Sequence, residues 1–301
     1  MRTVKYAELS EADCAIAQAL GVVGEWWTLL IVRDVAGGRH RFAELHSELG
    51  LSRRILSERL ASLVDSGVLR RSLYCEHPPR YEYHLTEMGE GLLPVLVSLQ
   101  EWGLRYVMGD GSLTATARPR SLEARRVRQL VGTKIPELTL ATASGGRHDP
   151  VSGSEWTVLY CYPGAYATDT AYPAGWAEIP GASGCTLEAT TYRDRIPEFE
   201  KRKAQVYGVS TQRPEDQAVF AARQKIPFTL LSDHKLQLTA ALRLPVFRAA
   251  GADWLKRITL LVRSDREIRG VLYPVPDPAG SVGDALSMLD RARADATKRC
   301  A

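Results

Sequence analysis

Two groups of side chains in this 301-residue sequence have types and spacings that can do chemistry. The first centres on Cys185, in Gly184-Cys-Thr-Leu-Glu-Ala-Thr-Thr-Tyr-Arg-Asp194, a run that opens a helix expected to continue through Phe199. A thiol in the first turn of a helix faces unsatisfied amides and the positive end of the helix dipole, which favours thiolate. A thiolate attacks the O–O bond of a peroxide and becomes a sulfenic acid. The second group is rich in arginine. In Ser52-Arg-Arg-Ile-Leu-Ser-Glu-Arg-Leu-Ala-Ser-Leu-Val-Asp-Ser-Gly67, helical spacing buries Leu56, Leu60, Leu63 and Val64 and leaves Arg54, Ser57, Glu58 and Ala61 on the opposite arc, with Arg53 at the N-terminal end. Arginine and serine without bulky apolar neighbours suit a helix lying in the major groove of DNA, where they meet base edges and phosphates. Arg80 carries the same chemistry at the end of Glu76-His-Pro-Pro-Arg80.

The elements around the arginines must present that helix. Ser52 is an N-cap and Gly67 a stop. Phe42-Ala-Glu-Leu-His-Ser-Glu-Leu-Gly50 predicts a short preceding helix, with Gly50-Leu51 as the turn. Residues 68–74 and 81–85 read as strands joined by a tip with two prolines, which makes a hairpin, the wing of a winged helix-turn-helix. Upstream, a helix over 10–19 is capped by Ser10 and carries Cys14, and a second over 21–35 has an apolar stripe through Trp26, Leu29 and Leu30. Thr86 is expected to cap one helix over 87–107, too apolar to stand alone. Beside the N-terminal helix it is the expected dimer seam, which a reader of two half-sites requires. Residues 109–132 have linker composition, with Arg118, Arg120, Arg125, Arg126 and Arg128 clustered and a short helix over 122–131.

From about residue 135 strands alternate with helices: strands over 156–162, 204–210, 228–232, 258–263 and 267–273, and helices over 184–199, 214–224, 236–242 and 281–296. That pattern is an α/β sheet. Cys161 lies inside the first of these strands and reads as core. The insert 164–180 carries Tyr166, Tyr172 and Trp176, which either pack the loop down or line a small-molecule pocket near Cys185. The expected organisation is therefore multidomain: an α+β winged helix-turn-helix over 1–108, a basic linker over 109–132 and an α/β domain over 133–301.

The totals narrow the class. A formal net charge of +4 is mild, so the basic residues matter through placement, and arginines outnumber acids between residues 39 and 85. No apolar run is long enough to span a bilayer and no signal-peptide pattern is read, so a cytoplasmic protein without a membrane partner is expected. In that reducing setting the five cysteines are expected as free thiols. No metal-ligand spacing and no cofactor motif is read.

Several motifs carry family resemblances. Gly24-Glu-Trp-Trp-Thr-Leu-Leu-Ile-Val-Arg-Asp34, Arg41-Phe-Ala-Glu-Leu45, Ile55-Leu-Ser-Glu-Arg-Leu60, Pro78-Pro-Arg-Tyr-Glu-Tyr83 and Leu85-Thr-Glu-Met-Gly89 together resemble the HxlR family of bacterial winged-helix regulators, over the first third of the chain. The resemblance implies a homodimer formed through the N-terminal domain and bound to double-stranded operator DNA. Cys14 matches a position that is a redox switch in some members; the plainer alternative is a small buried hydrophobe at an interface.

The second half resembles the peroxiredoxins (AhpC/TSA, bacterioferritin-comigratory type) on the thioredoxin-like fold. Val158-Leu-Tyr-Cys-Tyr-Pro163, Gly184-Cys-Thr186 with Tyr192-Arg-Asp194, Val206-Tyr-Gly-Val-Ser210, Phe228-Thr-Leu-Leu-Ser-Asp233 and Arg257-Ile-Thr-Leu-Leu261 carry it. By that resemblance Cys185 is the peroxidatic cysteine and Arg257 steadies thiolate and peroxide. The pattern also departs from the family. Ala182 stands where the family has threonine, and the preceding proline is Pro163 or Pro180. Ser183 or Thr186 is left to supply a hydroxyl, and Thr190 replaces the helical resolving cysteine. Any disulfide then uses a distant cysteine, Cys14 and Cys75 being the switch candidates, or another subunit. The resulting expectation is a DNA-binding transcriptional regulator whose peroxiredoxin-like domain senses redox state, oxidation of Cys185 modulating DNA affinity, with peroxide or a thiol reductant as a partner. The alternatives are a thiol peroxidase or oxidoreductase carrying a winged helix, or a regulator whose second domain binds a small ligand without redox chemistry.

Overall fold

The computed structural model describes residues 14–151 and 153–300, with the side chains of 170 and 297–300 left aside. The chain divides into two compact units, Met1–Leu96 and Val97–Ala301. No single helix among the described residues is long and apolar enough to cross a membrane.

The first unit is built as α1 (Ala15–Val23), α2 (Trp26–Ala36), α3 (Phe42–Leu49), α4 (Arg53–Asp65), β1 (Leu69–Cys75) and β2 (Arg80–Leu85). Its core joins Ile31, Val32 and Val35 of α2 to Leu45 of α3 and Leu56, Leu60 and Leu63 of α4. In α4 these are the positions that helical periodicity selects, with Val64 only partly buried; in α2 the expected stripe through Trp26, Leu29 and Leu30 is not the core, since Trp26 is exposed and Leu29 and Leu30 are only partly buried. The expected second helix begins later than residue 21, because α1 closes on Gly24 and Glu25 takes an extended conformation. The chain turns so tightly there that a Cβ on Gly24 would lie 2.3 Å from the Leu20 carbonyl oxygen. Cys14 precedes α1 as its N-cap rather than lying within a helix, and the expected cap at Ser10 is outside the described residues. Gly50, at φ +63°, makes the left-handed turn between α3 and α4.

β1 and β2 pair antiparallel from Leu69↔Leu85 to Leu73↔Tyr81, and a bulge then sets Cys75 opposite Arg80. The helix expected over 87–107 is broken. Thr86 caps only a short α5 (Glu87–Glu90), its Oγ1 accepting from the Gly89 amide at 3.1 Å. The chain then turns at Gly91 and Leu92 before α6 (Leu93–Trp102) and a single π-helical turn, Gly103–Val107. Pro94 in the first turn of α6 has no amide to carry an unbroken helical ladder back to Glu90.

In the second unit α7 (Leu122–Arg128) lies in the segment expected to be a basic linker. Its Ala124 and Val127 are buried, and Glu123 accepts from Lys256 Nζ at 3.0 Å. The Ala115 amide donates to the Pro180 carbonyl at 2.9 Å, tying the same segment to the insert. There follow β3 (Leu140–Thr142), β4 (Arg147–His148), β5 (Trp156–Cys161), α8 (Cys185–Glu200), β6 (Ala204–Ser210), α9 (Pro214–Gln224), β7 (Leu230–Ser232), α10 (Gln237–Leu242), β8 (Val246–Ala249), β9 (Ala252–Leu255), β10 (Ile258–Arg263), β11 (Ile268–Leu272) and α11 (Gly280–Cys300). Seven strands form one sheet in the order β11-β10-β5-β6-β7-β3-β4, parallel across β5, β6 and β7 and antiparallel at both flanks. β5 lies inside the sheet between β10 and β6 and is buried along its whole length, so it shows an unbroken apolar run rather than alternation. Helix α8 is the crossover from β5 to β6 and packs with α11 over the sheet, closing a core of Tyr160, Tyr192, Phe199, Val282 and Leu286. The hairpin β8–β9 is an addition that the sequence pattern did not single out.

Two glycines test this packing in opposite senses. A Cβ on Gly89 would meet the Val68 carbonyl oxygen at 2.3 Å, so Gly89→Ala lowers the thermal unfolding midpoint by an amount corresponding to ~1–3 kcal/mol. Gly21, inside α1, has nothing within 4 Å, and Gly21→Ala raises the midpoint through helix propensity, by up to about 1 kcal/mol.

Candidate functional site

The first turn of α8 holds the thiol. Gly184, at φ +101°, is the residue before the helix, and a Cβ there would strike Pro278 at 2.7 Å, so the approach to Cys185 needs glycine. Cys185 Sγ is 1% exposed and donates to the Ala182 carbonyl at 3.5 Å. Arg257, just ahead of β10, points its Nη2 at the same sulfur from 3.5 Å and at the Ser183 carbonyl from 3.0 Å. Its Nη1 donates to Glu188 Oε2, and Ser281 Oγ donates to the other Glu188 oxygen at 3.4 Å. Two residues 72 positions apart, Cys185 and Arg257, thus share one buried site, and Glu188 and Ser281 complete it. Sequence reading passed over Glu188, although its place three residues after Cys185, one helical turn on, was the available signal.

The electrostatics of this cluster have competing causes. Burial pushes the Cys185 thiol above its ordinary value, while the Arg257 guanidinium and the Gly164 amide pull it down and Glu188 adds to the rise. The desolvation outweighs the helix-terminus effect, and the sulfur is held as a neutral thiol that donates to Ala182. Burial likewise pushes Glu188 up to about 7, against the pull of Arg257 and Ser281. Arg257 is itself desolvated, but Cys185 and Glu188 more than offset that, and the guanidinium stays charged.

Other expected participants lie around this centre. The Ser183 carbonyl, not its hydroxyl, is the group engaged by Arg257. Thr186 lines the same cleft as Tyr172, and Thr190 Oγ1 donates back to the Thr186 carbonyl at 2.9 Å. A cleft of about 550 Å³ opens beside the first turn of α8, lined by Tyr172, Trp176, Glu178, Ser183, Gly184 and Thr186 among others. Tyr166 is not in that lining but packs edge-on to Tyr172 at 5.0 Å between ring centroids, and Trp176 packs against Phe247 and Trp254. The aromatic insert therefore both packs the loop down and walls the cleft. Cys161 is fully buried in β5, and burial pushes its thiol far up. Cys14 is exposed, and Cys75, in the wing, is half-buried; neither is in a disulfide.

In the first unit, Ser52 Oγ accepts from the Ile55 amide at 3.3 Å and fixes the start of α4. Arg53, Arg54, Ser57, Glu58 and Ala61 are exposed along one side of it. Arg54 pairs with Glu58 at 2.9 Å, an exposed i,i+4 pair that a phosphate or base edge can displace. Arg53 and Arg80 make no ion pair among the described residues, and both are exposed. At the root of the wing Arg41 pairs with Glu82 at 2.9 Å and lies over the Tyr74 ring, so β1, β2 and the start of α3 are clamped together.

Comparison with known proteins finds two families on this one chain. The HxlR-like helix-turn-helix family matches residues 22–110 and the AhpC/TSA family residues 176–271. An HTH-type transcriptional regulator of Mycobacterium tuberculosis is 44% identical over 93 residues, 31% of this chain and 59% of that protein, so the present chain spans little more than half of that relative. The Bacillus subtilis HTH-type regulator YvaP is 37% identical over 99 residues, 33% of this chain and 92% of its own length. Among solved structures, peroxidoxin BcpB of M. tuberculosis is similar at 25% identity and TM-score 0.45, covering 54% of this chain and 96% of its own.

The raised thiol has a measurable consequence. Alkylation of Cys185 by iodoacetamide in the intact protein climbs with pH from neutrality through the usual thiol range, less steeply than tenfold per unit while Glu188 ionises and without an earlier plateau. Glu188→Gln removes a negative neighbour, lowers the thiol pKa and speeds labelling at a given pH; Arg257→Met does the reverse. Mass spectrometry of the labelled peptide checks both directions.

Proposed function

The chain belongs to the HxlR-like helix-turn-helix family, and on that premise we propose that it is a homodimeric transcriptional regulator whose peroxiredoxin-like domain reports oxidation of Cys185 as a change in DNA affinity. The observation that carries the DNA-binding part is the exposed polar side of α4, with Arg53, Arg54 and Ser57 unobstructed and Arg80 at the wing. In this reading Arg54 and Ser57 read base edges, and Arg53 and Arg80 hold phosphates. A palindromic operator would require two copies, and Val95, Leu99 and Trp102 of α6, each about half exposed, are the apolar surface offered for pairing.

The redox part rests on Cys185 Sγ lying 3.5 Å from the Arg257 guanidinium in the first turn of α8. In the proposed step the sulfur attacks one peroxide oxygen, the S–O bond forms as the O–O bond breaks, and the thiol proton leaves with the departing alcohol or water. Arg257 stabilises the negative charge that builds on both sulfur and leaving oxygen. A buried neutral thiol with no cysteine at position 190 suits a slow, stoichiometric sensor better than a peroxidase that turns over rapidly. Cys14 and Cys75 are the proposed partners for any later disulfide, because both are accessible and Cys161 is not.

Gel-shift titrations on the DNA upstream of the protein's own gene test both parts. Arg53→Ala and Arg80→Ala weaken binding across sequences and flatten the salt dependence by about one unit of log–log slope each, whereas Arg54→Ala relaxes sequence preference. Peroxide shifts the affinity of the wild-type protein by about fivefold or more, and Cys185→Ser removes that response. An equal peroxide response in both proteins excludes Cys185 as the sensor.

A further inference from the structure

A second cleft in the second unit, of about 770 Å³, shares no lining residue with the one beside Cys185. It is walled by the end of α6, the π-helical turn, the segment before α7, and the start of β8. Leu104, Leu113, Val246 and Phe247 give it apolar walls, and its size suits a small organic ligand. Most of its charged groups are already engaged. Lys256 pairs with Glu123 at 3.0 Å, and Arg118 with Asp110 at 3.4 Å. Arg105 donates to the Gly111 carbonyl at 2.8 Å and lies over the Tyr106 ring. Arg120 lines the cleft but is exposed.

Glu101 is different. It is 7% exposed and lines the cleft, yet its carboxylate makes no ion pair or hydrogen bond among the described residues. Even Arg105, four residues on in a position that usually pairs, is turned to Gly111 instead. The Glu101 oxygens are not among the fully buried unpaired atoms, so the little exposure Glu101 keeps leaves an unpaired negative charge at the cleft, a favourable place for a cation. The π-helical turn Gly103–Val107 follows immediately, with the Met108 amide reaching the Gly103 carbonyl at 2.9 Å, and single π turns of this kind recur at binding sites.

We propose that this cleft binds a protonated organic amine, its ammonium group on Glu101 and its hydrocarbon against Leu104, Leu113 and Phe247. The site is independent of the thiol and of the DNA-reading helix, so it stands whether or not Cys185 is a sensor. Calorimetry and thermal unfolding of the full-length protein with hexylamine and phenethylamine test it, with hexanol and hexanoate as controls. The expected result is saturable, stabilising binding of both amines at millimolar concentration or below and none by the alcohol or the acid. Glu101→Gln weakens amine binding by about tenfold or more, since it removes a charge-assisted contact. If that variant does not fold, Leu104→Trp fills the cleft and abolishes amine binding on its own. Amine and alcohol acting alike, no amine binding, or undiminished binding by either folded variant overturns the proposal.

Discussion

The chemistry of the second unit depends on one buried cation. Arg257 is 2% exposed, and although its Nε has no hydrogen-bond partner among the described residues, a guanidinium withdrawn that far from water needs compensation at its two terminal nitrogens. It finds this in the Glu188 carboxylate, the Ser183 carbonyl and the Cys185 sulfur. These partners come from the first turns of α8 and the residues just before them, while Ser281 at the start of α11 steadies Glu188 from the other side. The parallel pairing of β5 with β6 places α8 over the sheet, and the β10–β5 pairing delivers Arg257 to the same end. The sheet register is therefore what brings the charge to the sulfur.

Because the guanidinium is shared, its two acidic neighbours cannot be treated separately. Glu188, pushed up to about 7, gains or loses its proton within the physiological range, and Cys185 feels that charge as well as that of Arg257. As pH falls through that value Glu188 becomes neutral and stops opposing the thiolate, while the falling pH itself favours the thiol. The two effects on the sulfur have opposite sign, which leaves its ionisation less steep around neutrality than a lone thiol would show.

Much of the fold was legible because several of its signals were local. In α4, a cap at Ser52, four apolar positions at helical spacing and a glycine just past the end all agree, and the element is found at Arg53–Asp65. The buried run of β5 was equally plain. What escaped depends on contacts made between distant residues. The linker-like composition of 109–132 hides Glu123, which is bonded to Lys256 and Tyr273 more than a hundred residues away. The short hairpin β8–β9 is too brief for a period to show. For the thiol, the position of Cys185 at a helix start was readable, but its burial was not, and burial decides the direction of its pKa. Arg257 could be paired with Cys185 only through family resemblance, since nothing in the spacing of two residues so far apart predicts their meeting.

The burial that raises the pKa of the Cys185 thiol is also what would make its oxidation consequential. At 1% exposure Cys185 has almost no contact with solvent, and its sulfur is flanked by the Ala182 carbonyl and the Arg257 guanidinium, each at 3.5 Å. A neutral thiol donates to that carbonyl; the sulfenic acid that replaces it would carry its proton on the new oxygen, so the sulfur itself could no longer donate to Ala182, while the oxygen would accept from Arg257. Arg257 would then give less of its charge to Glu188, whose proton affinity rises in turn. Gly184 cannot yield sideways, since Pro278 occupies the space where even a Cβ would stand, so the strain falls on the first turn of α8 or on the Arg257–Ser183 bond. A close-packed site answers such a change by switching between discrete arrangements rather than by deforming a little, which is the behaviour a sensor needs and a fast peroxidase does not.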